Sequence, residues 1–162
     1  MSLRRVVLPA LVVYAVAWIP FLIVGDPSRM TSLQFAGSGA KVSELLSGWS
    51  SADLVDTALL IGVDFVHPVA YGVLLIAGAV WAGRRLRDSA TRWARVVVGA
   101  VVAAAMFDVL ENFGLIVMIR GRVDDTVAAA TRLFSVTKSA LIVVAVLYVL
   151  AGLVSRARRQ PA

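Results

Sequence analysis

Four long apolar runs, separated by short charged stretches, divide this chain of 162 residues. Crossing the hydrocarbon core of a bilayer takes about 20 consecutive apolar residues, and every run is long enough. They cover residues 6–24, 57–82, 94–119 and 127–154, although Arg132 moves the apolar start of the last one to about Leu133. The pattern predicts an all-α fold: an integral membrane, antiparallel four-helix bundle forming one domain over 1–162. The composition of 60% hydrophobic residues fits this, against about 45–50% apolar in a soluble domain.

Arg4 and Arg5 ahead of the first run would also suit a signal peptide. The run is longer than a usual signal core, however, and Ile23-Val24-Gly25 is a poor cleavage site, so it is read as a span. The formal net charge of +6 would point to nucleic acid in a soluble protein. Here the basic residues cluster at the ends of apolar runs, where membrane orientation and anionic lipid account for them, and no nucleic-acid partner is expected. One side holds Arg4, Arg5, Arg84, Arg85, Arg87, Arg92, Arg95, Arg156, Arg158 and Arg159, and the other Arg29, Lys41, Arg120, Arg122 and Arg132. That asymmetry predicts both termini in the cytoplasm of a cell membrane, a bacterial inner membrane being expected.

The outer loop is then 25–56. Gly25, Asp26, Pro27 and Ser28 read as a turn. From about 40 to 49, Val42, Leu45, Leu46 and Trp49 recur at helical spacing while Ser43 and Glu44 face away. This predicts a short amphipathic helix on the outer membrane surface or capping the bundle, with Trp49 at headgroup depth.

Function is to be sought in the polar residues inside the spans. A charge at mid-membrane costs roughly 2.5–3.5 kcal/mol on insertion scales, so each must be paired, protonated or hydrated. Asp64, His67 and Tyr71, with Pro68, form one helical stripe on the second span. Asp108, Glu111 and Asn112 form another on the third, and Ser135, Lys138 and Ser139 a third on the fourth. All three stripes are predicted to face the interior and to meet at one depth, in the outer half of the bilayer. Neighbouring carboxylates do not both ionise easily, so Asp108 and Glu111 are expected to share a proton or a cation. Lys138 is the obvious cation and His67 a second. Gly99 and Ala103 on the third span, and Gly62 on the second, are expected to allow close helix approach. Pro68 frees the carbonyl of Asp64 and can kink the second span.

Each of these residues also has a plainer reading. Asp108 and Lys138 can be glue that fixes helix register, His67 a packed and hydrogen-bonded side chain, and Asp64 a group reaching up to outer water. Catalytic and cofactor fingerprints are absent, and no cofactor is expected. One histidine and no cysteine argue against zinc; a hard cation on Asp64, Asp108, Glu111 and Asn112 is the metal alternative.

The pattern Asp64-x-x-x-Pro68-x-x-Tyr71, then Asp108-x-x-Glu111-Asn112, then Lys138 resembles a group of small bacterial four-helix membrane proteins. The stretch 35–49 resembles their amphipathic segment. The resemblance covers nearly the whole chain and implies that these residues belong together; it implies no reaction. The expected function is a proton-active pocket that binds or moves a small amphiphile or lipid. The alternatives are a structural or assembly subunit, in which the polar residues only fix packing, and a lipid-directed enzyme using acid–base chemistry. Membrane lipid is the expected partner, with a second copy or another membrane protein also open.

Overall fold

The computed structural model describes residues 3–24, 26–86 and 89–157, apart from the side chains of 3–7, 10, 89–91, 156 and 157. The turn residue Gly25 and the basic residues Arg87, Arg158 and Arg159 lie outside the described residues, as do the side chains of Arg4, Arg5 and Arg156. Among the described residues there is no strand. The helices are α1 (Leu3–Ala17), α2 (Ile19–Ile23), α3 (Pro27–Gln34), α4 (Gly39–Ser47), α5 (Ser51–Asp64), α6 (His67–Gly83), α7 (Ser89–Ile119) and α8 (Asp125–Ala157).

Three stretches are long and apolar enough to cross a membrane: Ser51–Gly83, Arg92–Ile119 and Asp125–Ser155. A fourth exists if the pair Leu11–Ile23 and Pro27–Gln34, bent by 100°, is one broken span. The first apolar run is thus not one straight helix. Pro20 has no N–H to donate into the preceding turn, and the chain breaks at Trp18 to restart as α2. The second run breaks at Phe65–Val66, where Pro68 withholds the N–H that the Asp64 carbonyl would accept. Side chains such as Leu133, Val143, Leu147 and Leu153 stand exposed along α8. So many exposed apolar groups along one helix would be a liability in water and are ordinary against lipid.

Helix ends follow local chemistry. Ser50 and Asp53 form a capping box at the start of α5. Gly121, at φ +81°, ends α7 in a Schellman turn: its N–H donates to the Met118 carbonyl at 2.9 Å and the Arg122 N–H to Val117 at 3.3 Å. Asp124 then opens α8, accepting from the Thr126 and Val127 N–H groups at 2.7 and 3.2 Å. Those two donors, Val127 foremost, hold the Asp124 carboxyl below its usual range. A lowered folded pKa stabilises above the unfolded value of about 3.9 and loses that stability as pH falls through the folded value. Asp124→Ala is therefore expected to lower the melting temperature near neutral pH, with the gap to the parent chain closing below about pH 4. A gap unchanged by acid would contradict this cap.

Between α2 and α5 the chain forms two helices where one was expected. Asp26 and Pro27 open α3: the Asp26 carboxylate accepts from the Ser28 N–H at 2.9 Å, so the predicted turn is in fact a helix start. The amphipathic helix is α4. Val42 is fully buried, Leu45, Leu46 and Trp49 are half-buried, and Ser43 and Glu44 are exposed. It packs on the bundle rather than lying free of it: the Gly39 N–H donates to Asp125 at 2.6 Å. The Arg29–Asp53 ion pair, at 2.6 Å, ties α3 to α5.

In the bundle, α7 and α8 run antiparallel, with Asp108 against Lys138 and Gly114 against Thr131. Two apolar cores divide the molecule. Leu60, Ile61, Leu115, Met118 and Ala128 belong to one, beneath α3 and α4; Ala79, Val97, Val101 and Ala145 form the other. On every long helix the polar residues lie in sequence between the two.

The close approaches are not where they were expected. Gly99 and Gly62 are exposed, and a Cβ on either would meet nothing. Gly114 is the tight one: a Cβ there would run into the Thr131 hydroxyl and Cβ. Gly78 against Val149 and Gly152 against Ala82 bring α6 and α8 together. Small residues matter where a partner side chain occupies the space, and spacing within one helix does not reveal that.

Candidate functional site

Asp108, Glu111 and Asn112 share one face of α7 and are 3%, 0% and 0% exposed. That face cannot be left bare in an apolar layer, because a buried unpaired charge is very costly. Across from it α8 supplies Lys138. Its Nζ donates a hydrogen bond to Asp108 Oδ1 at 2.5 Å and lies 2.9 Å from Glu111 Oε2. The Glu111 contact has ion-pair distance but not hydrogen-bond alignment, so Lys138 is bonded to Asp108 and holds Glu111 by charge. Ser135, one turn earlier on α8, is buried beside Glu111.

The break in the second span delivers the rest. Asp64 ends α5 and His67 begins α6, with His67 Nδ1 3.1 Å from Asp64 Oδ1, again without hydrogen-bond alignment. Asp64 is 8% exposed, so it does not reach up to outer water, the plainer expectation for it. Tyr71, one turn beyond His67, is half-buried beside Asp108 and within electrostatic reach of Asp64 and Glu111. Tyr71 thus joins the Asp64–His67 pair to the Asp108–Glu111–Lys138 triad, and the structure gathers the residues of all three stripes into one layer. Ser139 is the exception: it is exposed, and its hydroxyl donates to the Ser135 carbonyl at 2.8 Å.

Three features of this layer bear on chemistry. Three buried carboxylates face one lysine, so the fully ionised layer is acidic. Next, Asp64 Oδ2, His67 Nε2 and both polar side-chain atoms of Asn112 are buried without a hydrogen-bond partner among the described residues, while Tyr71 is paired with Asp108 and Ser135 with Glu111. A layer that only fastened helices would be expected to close its hydrogen bonds internally. Finally, no three His, Asp or Glu side chains among the described residues converge as a metal's ligands would. Lys138 stands where the hard-cation alternative would place its ion.

The sequence reading missed an aromatic wall. Tyr14 on α1, Trp18 at the break and Phe21 on α2 set their rings 5.9, 5.3 and 5.1 Å from the His67 ring, in edge-on geometry. Their spacing in the sequence, i, i+4 and i+7, was the available signal. With Asp64, His67 and Tyr71 they line a cavity of about 260 Å³. An apolar groove of about 550 Å³ runs between α6 and α7, beginning at Phe65 and Pro68, the sequence neighbours of the polar break. Farther along, Arg84 and Arg95 border a third hollow of about 350 Å³ with Val80 and Val98, and Arg85 lies over the Trp81 ring at 5.1 Å.

No protein-family model, no curated protein and no solved structure matches the chain.

Proposed function

We propose that the polar layer is a binding site for a small amphiphile or lipid within the membrane. The observation that carries this reading is the set of unpartnered buried polar atoms on Asp64, His67 and Asn112 within this layer. Their unused hydrogen-bonding capacity suits the polar head of a ligand, and the groove between α6 and α7 suits its apolar tail. In this reading the chain is an antiparallel four-helix bundle, its first span bent, with α3 and α4 as an outer roof. Both termini are cytoplasmic, in a bacterial inner membrane, and the site lies in the outer half of the bilayer. Reporter fusions after Arg87 and Arg159 should read cytoplasmic and one after Lys41 external; a cytoplasmic signal at Lys41 would contradict the orientation.

A second reading has an observation of its own. Lys138 spans both carboxylates of α7, which is how a structural fastener joining α7 to α8 would look. The two readings part on ligand linkage. A chain stripped of lipid by detergent exchange should gain melting temperature when membrane lipid extract is restored, because a ligand that binds only the folded state stabilises it by mass action. An unchanged melting temperature would favour the fastener.

A further inference from the structure

The 260 Å³ cavity is built unlike the rest of the layer. One wall is three aromatic rings, those of Tyr14, Trp18 and Phe21, closely set around His67. The cavity is also lined by Asp64, buried, with Oδ1 3.1 Å from His67 and Oδ2 left without a hydrogen-bond partner. Among the described residues, no lysine or arginine lines the cavity. The buried cation of the layer, Lys138, is already engaged by Asp108 and Glu111.

Each ligand class fares differently against these walls. The faces of aromatic rings carry negative potential and attract cations, by about 0.5–1 kcal/mol at exposed sites and about 2 or more when desolvated. A carboxylate with a free oxygen adds charge attraction in a low-dielectric setting. An anionic head meets repulsion from both. A neutral head gains contact area alone. A small metal ion requires a shell of oxygens that aromatic rings do not provide. A head in which positive charge is spread over a bulky group gains from ring faces and carboxylate together.

We propose that this cavity receives the cationic head, an amine or quaternary ammonium, of the amphiphile bound by the polar layer. The proposal rests on the reading of that layer as a ligand site and adds the charge and shape of the ligand. Asp64 is the counter-ion, and Tyr14, Trp18 and Phe21 are the walls.

The test uses the full chain in lipid nanodiscs and three probes with the same tail, each below its micellar concentration. These are dodecyltrimethylammonium, the net-neutral dodecyldimethylamine oxide and the anion dodecanoate, with binding read by isothermal titration. The cation is expected to bind at least tenfold more tightly than either other probe. Asp64→Asn should remove that preference. Trp18→Leu should weaken the cation several-fold while Trp18→Phe keeps it. Trp18 is 46% exposed, so those variants stay folded even if Asp64→Asn does not. Equal binding of the three probes, tighter binding of dodecanoate, or a cation preference insensitive to both Asp64 and Trp18 would overturn the cationic head and leave the amphiphile site standing. No saturable binding of any probe would overturn both.

Discussion

Replacing Lys138 with methionine is expected to cost about 3–5 kcal/mol of folding stability, the penalty for breaking a buried ion pair from one side. Lys138 is the cation that Asp108 and Glu111 share, at 2.5 and 2.9 Å, and those residues are 3% and 0% exposed. Methionine keeps the length of the stem and removes the charge, so two neighbouring carboxylates face each other in an apolar layer. They can escape only by taking up protons or by drawing water between α7 and α8. The loss should therefore be recovered largely by Asp108→Asn and Glu111→Gln in the same chain, since uncharged polar groups need no counter-ion. Denaturant unfolding in mixed micelles measures both. A loss under about 1 kcal/mol, typical of an exposed pair, would mean that Lys138 is not the partner on which the layer depends.

Glu111→Gln should behave in the opposite way: little change in stability and a loss of at least tenfold in ligand affinity. The hydrogen bond from Lys138 to Asp108 survives the change, so α7 and α8 stay joined. Glutamine has the same shape and fits the same fully buried space. What disappears is a carboxylate held 2.9 Å from the Lys138 ammonium. Asp64→Asn removes the counter-ion of the cationic head and should weaken retention of a cationic ligand to a similar degree; Asp64 is buried, so outer water does not hydrate its charge away.

The meeting of Asp108, Glu111 and Lys138 was legible in the sequence because charge in an apolar span is expensive and helical spacing fixes the face. The break beside Asp64 and His67 was legible from Pro68. Other parts were not. Asp26-Pro27-Ser28 carries the signals of a helix start, yet the polar residues Arg29, Thr31 and Ser32 beyond it favour a turn in a loop. The helix α3 forms because Met30 and Leu33 find a core beneath them. The aromatic wall was hidden because Tyr14, Trp18 and Phe21 sit in a run that is apolar throughout, where three rings do not stand out. Gly114 was passed over in favour of Gly99, because the Thr131 side chain that makes Gly114 tight lies on another helix. Contacts between distant helices are set by the whole packing, and one-dimensional spacing reports only faces.

The central claim is that the buried polar layer holds a ligand and is not only a fastener. Native mass spectrometry of the parent chain and Glu111→Gln, released from the same gentle detergent, with the melting temperatures of both measured after bound lipid has been stripped by detergent exchange, tests it most directly. The account predicts a small amphiphile retained on the parent chain, lost from Glu111→Gln, with the two chains melting alike. A parent chain that carries no such ligand, or a Glu111→Gln variant that retains it fully while melting at lower temperature, would contradict the account and leave the layer as a fastener between α7 and α8.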